Sequence, residues 1–255
     1  MVKAIPPVFL LAACTCVLRC FLSAAPQNIP TATHLNRWEV FLLDNEHLEP
    51  SDNGIGVFCK TDDTRRCEAV RIAVAQSKCC RETLSNGQDV PAFEYVSRPG
   101  ERLFMLVKGL QLRPGSIPSV LAERQTIAEN QQPLPADPVS VNLGTEMYRL
   151  RMDGLNLLIE ESGNTNAKQT VPLFIDDKRC NQIDSNSLRR DVRLEWAGDL
   201  DDDQRADFLI SASAYRSCVR VVSPQDPGLF LILSSRGGSG EVGRAIEAVG
   251  IRAQP

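Results

Sequence analysis

Val192-Arg-Leu-Glu-Trp-Ala-Gly-Asp-Leu-Asp-Asp-Asp-Gln-Arg-Ala-Asp-Phe-Leu-Ile210 is the stretch that decides the fold, because a dense acidic segment separates two apolar runs in it. Val192, Leu194 and Trp196 alternate with other residues, which is the two-residue period of a β-strand. A second apolar run begins at Phe208. The acidic segment is therefore predicted to be a loop that joins two strands.

Similar short runs recur along the chain, and Gly, Pro or Asn lies between them where a chain can reverse. We predict a mainly β protein of antiparallel sheets packed like a sandwich, with few short helices and with disulfides. Two segments suit a helix locally: residues 68–78 fit a short helix or a strand, and residues 119–127 allow a helix of two turns. The predicted strands are residues 38–43, 103–110, 139–143, 147–152, 192–196 and 229–233.

The chain begins with features of an export signal. Residues 8–17 are apolar, and small residues follow at positions 23–25, which predicts a secretory signal peptide over residues 1–25. The apolar core is too short to span a bilayer, and Arg19 interrupts it. We therefore expect a periplasmic or secreted protein with no integral membrane span after the signal is removed.

A second type of signal overlaps the first. Leu-Ala-Ala-Cys at residues 11–14 resembles the lipobox of bacterial lipoproteins, in which the cysteine becomes the acylated first residue. The alternative localisation is therefore a membrane-anchored lipoprotein with its lipid on Cys14.

A proline-rich stretch at residues 131–138 reads as an extended linker. It divides the remaining chain into an N-terminal β-rich domain over residues 26–130 and a C-terminal β domain over residues 139–255, which contains the acidic loop.

Six cysteines remain outside the predicted signal, and an even number in an exported chain suggests disulfides. Their pairing stays open. Cys180 and Cys218 bracket the acidic loop, so one hypothesis is that they pair with each other, and the alternative is that they pair with the N-terminal group. The adjacent Cys79 and Cys80 could bond each other, although such a bridge is strained. The candidates are Cys59, Cys67, Cys79, Cys80, Cys180 and Cys218.

The charge pattern excludes nucleic acid as a partner. The chain has 28 Lys and Arg and 32 Asp and Glu, and the basic residues are scattered among the acids. No catalytic set is evident either: His34 and His47 fit no metal-binding motif, and Gly237-Gly-Ser-Gly240 reads as a hairpin turn. The adjacent Glu160 and Glu161 face opposite ways on a predicted strand, so they form a poor acid/base pair.

Five carboxylates occupy the nine residues from Asp199 to Asp207. Carboxylates held about 4 Å apart repel by roughly 4 kcal/mol per pair at a surface-like dielectric, and a cation removes that cost. Oxygens at loop positions 1, 3 and 5 converge when the backbone coils, which suits a hard ion such as Ca²⁺. A solvated acidic turn and a site for another divalent ion are the alternatives.

The 16 residues from Trp196 to Ser211 are similar to the D-x-D-x-D-G-x-x-D loop of FG-GAP and VCBS-type repeats. In that family a calcium ion lies in such a loop. The layout also resembles bacterial exported proteins with one such loop near the C-terminus. The resemblance implies that Asp202 points away from the ion and that the ligands are the carboxylates of Asp199, Asp201, Asp203 and Asp207 and the backbone carbonyl of Arg205.

The loop departs from the family at Gln204, which stands where the family has Gly, and left-handed backbone there costs about 1–2 kcal/mol. Ile210 at position 12 offers no carboxylate, which excludes a regular EF-hand. We therefore expect a non-enzymatic binding or structural protein of the cell envelope that carries a structural calcium ion. The alternative is a secreted or periplasmic hydrolase in which the metal assists the reaction.

Overall fold

Strands form almost all of the regular structure. The computed structural model describes residues 32–35, 40–42, 53–83, 89–110, 112–121, 123–129, 137–163, 167–176, 189–215, 219–222 and 228–248. Within these ranges, no helix is long and apolar enough to cross a membrane.

The first nine strands lie before the proline-rich stretch. They are β1 (Ala32–Leu35), β2 (Val40–Leu42), β3 (Asn53–Lys60), β4 (Asp63–Ala73), β5 (Ala75–Thr83), β6 (Asp89–Val96), β7 (Glu101–Lys108), β8 (Gly115–Pro118) and β9 (Gln125–Ala128).

Ten more strands follow, with one 3₁₀ turn at Ser234–Arg236. They are β10 (Val139–Leu143), β11 (Glu146–Asp153), β12 (Asn156–Ser162), β13 (Lys168–Pro172), β14 (Phe174–Asp176), β15 (Arg189–Gly198), β16 (Asp207–Tyr215), β17 (Val219–Val221), β18 (Gly228–Leu233) and β19 (Arg244–Glu247).

These strands form four main sheets and one small one. Sheet A has the order β1-β6-β5, sheet B β2-β7-β3-β4-β8, sheet C β19-β18-β16-β15-β9 and sheet D β10-β11-β12-β13, while β14 and β17 pair separately. Among the described pairs, only β2 and β7 are parallel. The mainly antiparallel β prediction is therefore confirmed.

The four sheets stack in the order A, B, C, D, because each sheet shares an apolar core with the next. Sheet C lies between two of these cores, so Leu209 and Ile210 of its strand β16 are buried on opposite faces of the sheet. Representative core residues are Phe93 with Leu103 between A and B, Met105 with Leu231 between B and C, and Leu150 with Ile210 between C and D.

The predicted alternation in residues 147–152 is confirmed. Tyr148, Leu150 and Met152 are buried on one face of β11, whereas Arg149 on the other face is exposed. The buried face packs in the core between sheets C and D. Sheets C and D therefore form the predicted sandwich.

Of the two segments that suit a helix locally, residues 68–78 follow their strand alternative, and the helix of two turns at residues 119–127 was wrong. Residues 68–78 lie on β4 and β5. In residues 119–127, Ser119 pairs with Gly198, and the segment ends in β9, where Ala128 pairs with Val192 of β15. Backbone partners in sheet C thus replace the bonds of a helix, because tertiary pairing outweighs weak local propensity. The 3₁₀ turn is the only helical element of the described ranges.

The prediction of disulfides is confirmed, and the structure supplies one pairing that the sequence left open: Cys59 on β3 bonds Cys67 on β4, its direct cross-strand neighbour. Cys80 is also disulfide-bonded. The side chains of Cys79, Cys180 and Cys218 lie outside the described part of the structure. The Cys180–Cys218 pair stays a prediction, but Cys59 and Cys67 are no longer available as its alternative partners.

Several further predictions fall on residues that the structure does not describe. These are the signal peptide over residues 1–25 with Cys14, and most of the linker at residues 131–138. The division into two domains therefore stays a prediction.

Candidate metal site

The acidic loop joins β15 to β16, as predicted, and the pair Gly198 and Asp207 closes it. Two residues in the loop have left-handed backbone: Asp202 at φ 65° and Gln204 at φ 68°. Asp tolerates this conformation better than most residues, whereas Gln does not share that preference. Gln204 thus adopts a left-handed conformation at the position where the D-x-D-x-D-G-x-x-D motif has Gly.

The Asp199 carboxylate holds the acidic loop in its curved conformation by accepting two hydrogen bonds from the loop backbone. Its Oδ1 accepts a hydrogen bond from the backbone N–H of Asp203 at 3.0 Å, and its Oδ2 accepts one from that of Gln204 at 2.9 Å. The Asp199 side chain is buried. Its own N–H donates to the carbonyl of Pro118 at 2.8 Å, which ties the loop to the end of β8 in sheet B.

Asp207 is completely buried at the start of β16. Its Oδ2 accepts a hydrogen bond from the Leu200 N–H at 2.8 Å. Its Oδ1 accepts two from Ser234, from the backbone N–H at 2.8 Å and from Oγ at 2.9 Å. Ser234 follows β18, so this carboxylate joins the loop to the neighbouring strand of sheet C.

Asp199, Asp201 and Asp207 form what we call the aspartate cluster. Each contributes one carboxylate oxygen, and these oxygens all lie within 4.8 Å of one another. Calcium–oxygen bonds are 2.3–2.6 Å long, so two oxygens on opposite sides of one ion are separated by about 4.8 Å. The cluster can therefore surround a single metal ion.

Asp201 is the least satisfied member of the aspartate cluster. Its Oδ2 accepts a hydrogen bond from Ser235 Oγ. Its Oδ1 is buried and has no hydrogen-bond partner among the described residues. Buried polar atoms are almost always paired, and leaving one unpaired is costly.

Burial raises the pKa of all three carboxyl groups in the aspartate cluster, and it does so most strongly for Asp207. The negative charge of Asp201 adds to the rise in the pKa of Asp207. Loss of water and mutual repulsion both disfavour the charged forms. A cation would reverse this balance, because it favours ionised ligands.

Asp203 borders the aspartate cluster, but its oxygens already accept hydrogen bonds. Oδ1 accepts one from the Arg205 N–H at 2.8 Å, and Oδ2 lies 2.9 Å from Ser234 Oγ, whose single proton it shares with Asp207 Oδ1. A carboxylate oxygen has a second lone pair, so these bonds leave room for a metal. Asp203 and the Arg205 carbonyl remain predicted ligands, and Asp202 is exposed.

The Arg205 side chain turns toward sheet D. Its Nη2 donates to Glu161 Oε2 of β12 at 2.8 Å and to the Glu241 carbonyl at 3.3 Å. The next N–H, from Ala206, donates to the hydroxyl of Tyr148 on β11 at 3.2 Å. The loop is thus attached to sheets B, C and D at the place where they meet.

Sequence reasoning missed the residues that support the loop from other strands: Tyr148, Ser234 and Ser235. The nearest available signal was the pair of serines that follows the buried strand β18, one residue before the predicted turn at residues 237–240. That turn is confirmed, because it joins β18 to the antiparallel β19.

Glu160 and Glu161, the adjacent acids weighed above as an acid/base pair, both lie on β12. Glu161 is buried while Glu160 is half-buried, in keeping with side chains on opposite faces of a strand. Trp196 is fully buried in the core between sheets B and C. His47 and Trp38 lie outside the described residues.

Comparisons of the chain with protein-family models, with curated proteins and with solved structures found no match. The resemblance to FG-GAP and VCBS-type loops therefore rests on the sequence motif alone. The findings establish an all-β protein whose buried cluster of aspartates could hold a metal ion.

Proposed function

We propose that residues 199–207 bind one calcium ion, which stabilises an exported β protein with a non-enzymatic binding or structural role. The observation that carries this proposal is Asp201 Oδ1: it is buried and without a hydrogen-bond donor among the described residues, and it belongs to a cluster of three carboxylates.

The energetic argument begins with repulsion. At 4.8 Å, two unit charges repel by about 3.5 kcal/mol at an effective dielectric constant of 20. Three carboxylates make three such pairs, and the raised pKa values of all three groups reflect the same cost together with burial. A divalent cation converts the repulsion into attraction. This attraction stabilises the carboxylates most where burial has removed their hydration.

The donor set favours a hard cation. All three groups of the aspartate cluster offer oxygen, which suits Ca²⁺ or Mg²⁺ better than the softer metals that prefer Cys and His. Calcium accepts six to eight ligands in flexible geometry, whereas magnesium demands a near-ideal octahedron. An irregular coil that presents carboxylates, with the Arg205 carbonyl as an expected further ligand, fits calcium better.

Several contacts support a stabilising role for the ion. Asp199 and Asp207 are buried, and each already accepts hydrogen bonds that fix its position. The loop also contacts Pro118 in sheet B and Tyr148 in sheet D. An ion at this place would fasten three sheets together. The Cys59–Cys67 disulfide is consistent with an oxidising compartment and so with export.

Isothermal titration calorimetry on chelator-treated protein tests the proposal, with Ca²⁺ and Mg²⁺ as separate titrants. We expect one calcium site that binds calcium more tightly than magnesium. Asp207→Asn should weaken calcium binding at least about tenfold, because it removes a buried anionic ligand. Asp202→Asn is the matched control, since it removes the same charge from an exposed position in the same loop. Absence of binding, or equal binding by Asp207→Asn, would contradict the proposal.

A further inference from the structure

A groove of about 360 Å³ lies between sheets B and C. Arg102 and Phe104 of β7 form one wall, and Arg193 and Glu195 of β15 lie on the other. No member of the aspartate cluster lines it. Its volume lies in the lower part of the range found for small-molecule sites.

Apolar and polar side chains both line the groove. On β16, Leu209 lies in the core between sheets B and C, while Ser211 and Ser213 continue the same face as polar residues. Across the strand pair, Ser211 lies opposite Arg193 and Ser213 opposite Asp191. The groove therefore offers a packing surface next to a set of hydrogen-bonding groups.

The acids of the groove are partly engaged, but two of its arginines keep donors to spare. Glu195 Oε1 accepts a 2.6 Å hydrogen bond from Ser211 Oγ. Arg193 Nη2 lies 4.0 Å from Asp191 Oδ2, which is beyond hydrogen-bond distance. In the part of the chain that the structure describes, the side chain of Arg124 has no hydrogen bond or ion pair.

The groove also carries a surplus of positive charge. Three arginines line it against two acids, which leaves one net positive charge. The guanidinium of Arg102 lies 5.9 Å from the ring centroid of Phe104, so this aromatic wall is itself next to a cation. A ligand with one negative charge would balance the groove.

We propose that this groove binds a small monocarboxylate with an apolar body. Its carboxylate would accept hydrogen bonds from Arg193 and Arg124, and its body would pack against Phe104 and Leu229. The planar fork of a guanidinium matches the two oxygens of a carboxylate. Asp191 and Glu195 would repel a doubly charged anion such as phosphate, which selects for a single charge.

Calorimetric titration of the purified protein with 3-phenylpropionate tests this site, with 3-phenylpropionamide and inorganic phosphate as comparison probes. We expect saturable binding of the carboxylate, and binding at least about tenfold weaker for the neutral amide and for phosphate, because charge-assisted hydrogen bonds to one anionic group are lost or opposed.

Arg193→Gln and Arg124→Gln should each weaken binding of 3-phenylpropionate about tenfold. Arg113→Gln is the control, because Arg113 is exposed and does not line the groove. Far-ultraviolet circular dichroism establishes that each variant is folded. The proposal is overturned if the carboxylate does not saturate the protein, if the amide or phosphate binds as well, or if Arg113→Gln weakens binding as much as the groove variants.

Discussion

Replacement of Asp201 by Asn should stabilise the protein without calcium and destabilise it with calcium. In the aspartate cluster, the Asp201 carboxylate faces two others within 4.8 Å, and each pair repels by about 3.5 kcal/mol at an effective dielectric constant of 20. Protonation and solvent reduce this, because Asp201 is only half-buried and burial raises its pKa. We expect a gain of about 1–2 kcal/mol in the free energy of unfolding.

Asparagine at position 201 also removes the unpaired acceptor, Oδ1 of Asp201. Its amide oxygen can keep the hydrogen bond from Ser235 Oγ, and its N–H groups replace the buried Oδ1, where they face carboxylate oxygens. For a chain of this size, about 1–2 kcal/mol corresponds to a Tm increase of roughly 2–8 °C in chelator.

In calcium the order reverses. Wild-type protein gains about 2.7 kcal/mol when free calcium is a hundred times Kd. Asp201→Asn has lost a charged ligand, so its gain should be below about 1 kcal/mol. Thermal unfolding followed by near-ultraviolet circular dichroism, in chelator and in calcium, measures both effects. Asp202→Asn should keep the wild-type calcium response. A lower Tm for Asp201→Asn in chelator, together with an unchanged calcium response, would refute the reasoning.

Four further outcomes are expected. Gln204→Gly should raise the urea-measured free energy of unfolding by up to about 1 kcal/mol, because it relieves left-handed strain at some entropic cost; a loss of stability would contradict this. In chelator, the raised pKa values of the aspartate cluster mean that its contribution to stability is present at low pH and lost as pH rises through those values. Calcium binding instead strengthens as pH rises, so the calcium-induced Tm shift should grow from pH 5 to pH 7. A Tm shift independent of pH would count against this expectation. Removal of the disulfide as Cys59→Ala with Cys67→Ala should cost about 2.5 kcal/mol in urea unfolding, the loop-entropy value for a separation of eight. Tyr148→Phe should cost about 1–3 kcal/mol in the same assay, because it leaves the buried N–H of Ala206 unpaired; an unchanged midpoint would argue against that bond.

Local patterns in the sequence predicted much of the fold. The alternation of apolar residues on β11 and the apolar runs on either side of the acidic loop have a period that only strands satisfy. Position 204 was also identified as a place that requires left-handed backbone, and its φ of 68° bears this out. These features depend on neighbours in sequence, so no knowledge of the tertiary structure was needed.

The hydrogen bonds that other strands make to the acidic loop could not be predicted from local sequence patterns. Ser234 reaches Asp207 across 27 residues, Ser235 reaches Asp201 across 34, and Tyr148 reaches Ala206 across 58. Each contact depends on the register of several sheets at once. The error at residues 119–127 has the same origin, because its backbone partners lie in β15 and at the end of that strand.

The attachment of the acidic loop to three sheets has a kinetic consequence. Its bonds to Pro118, Tyr148 and Ser234 join sheets B, C and D, so we expect them to form only after these sheets have come together and a metal site there to be completed late in folding. Interactions absent from the folding transition state slow unfolding and leave the folding rate unchanged. An ion held there would lengthen the lifetime of the native protein, because it would slow unfolding rather than speed folding.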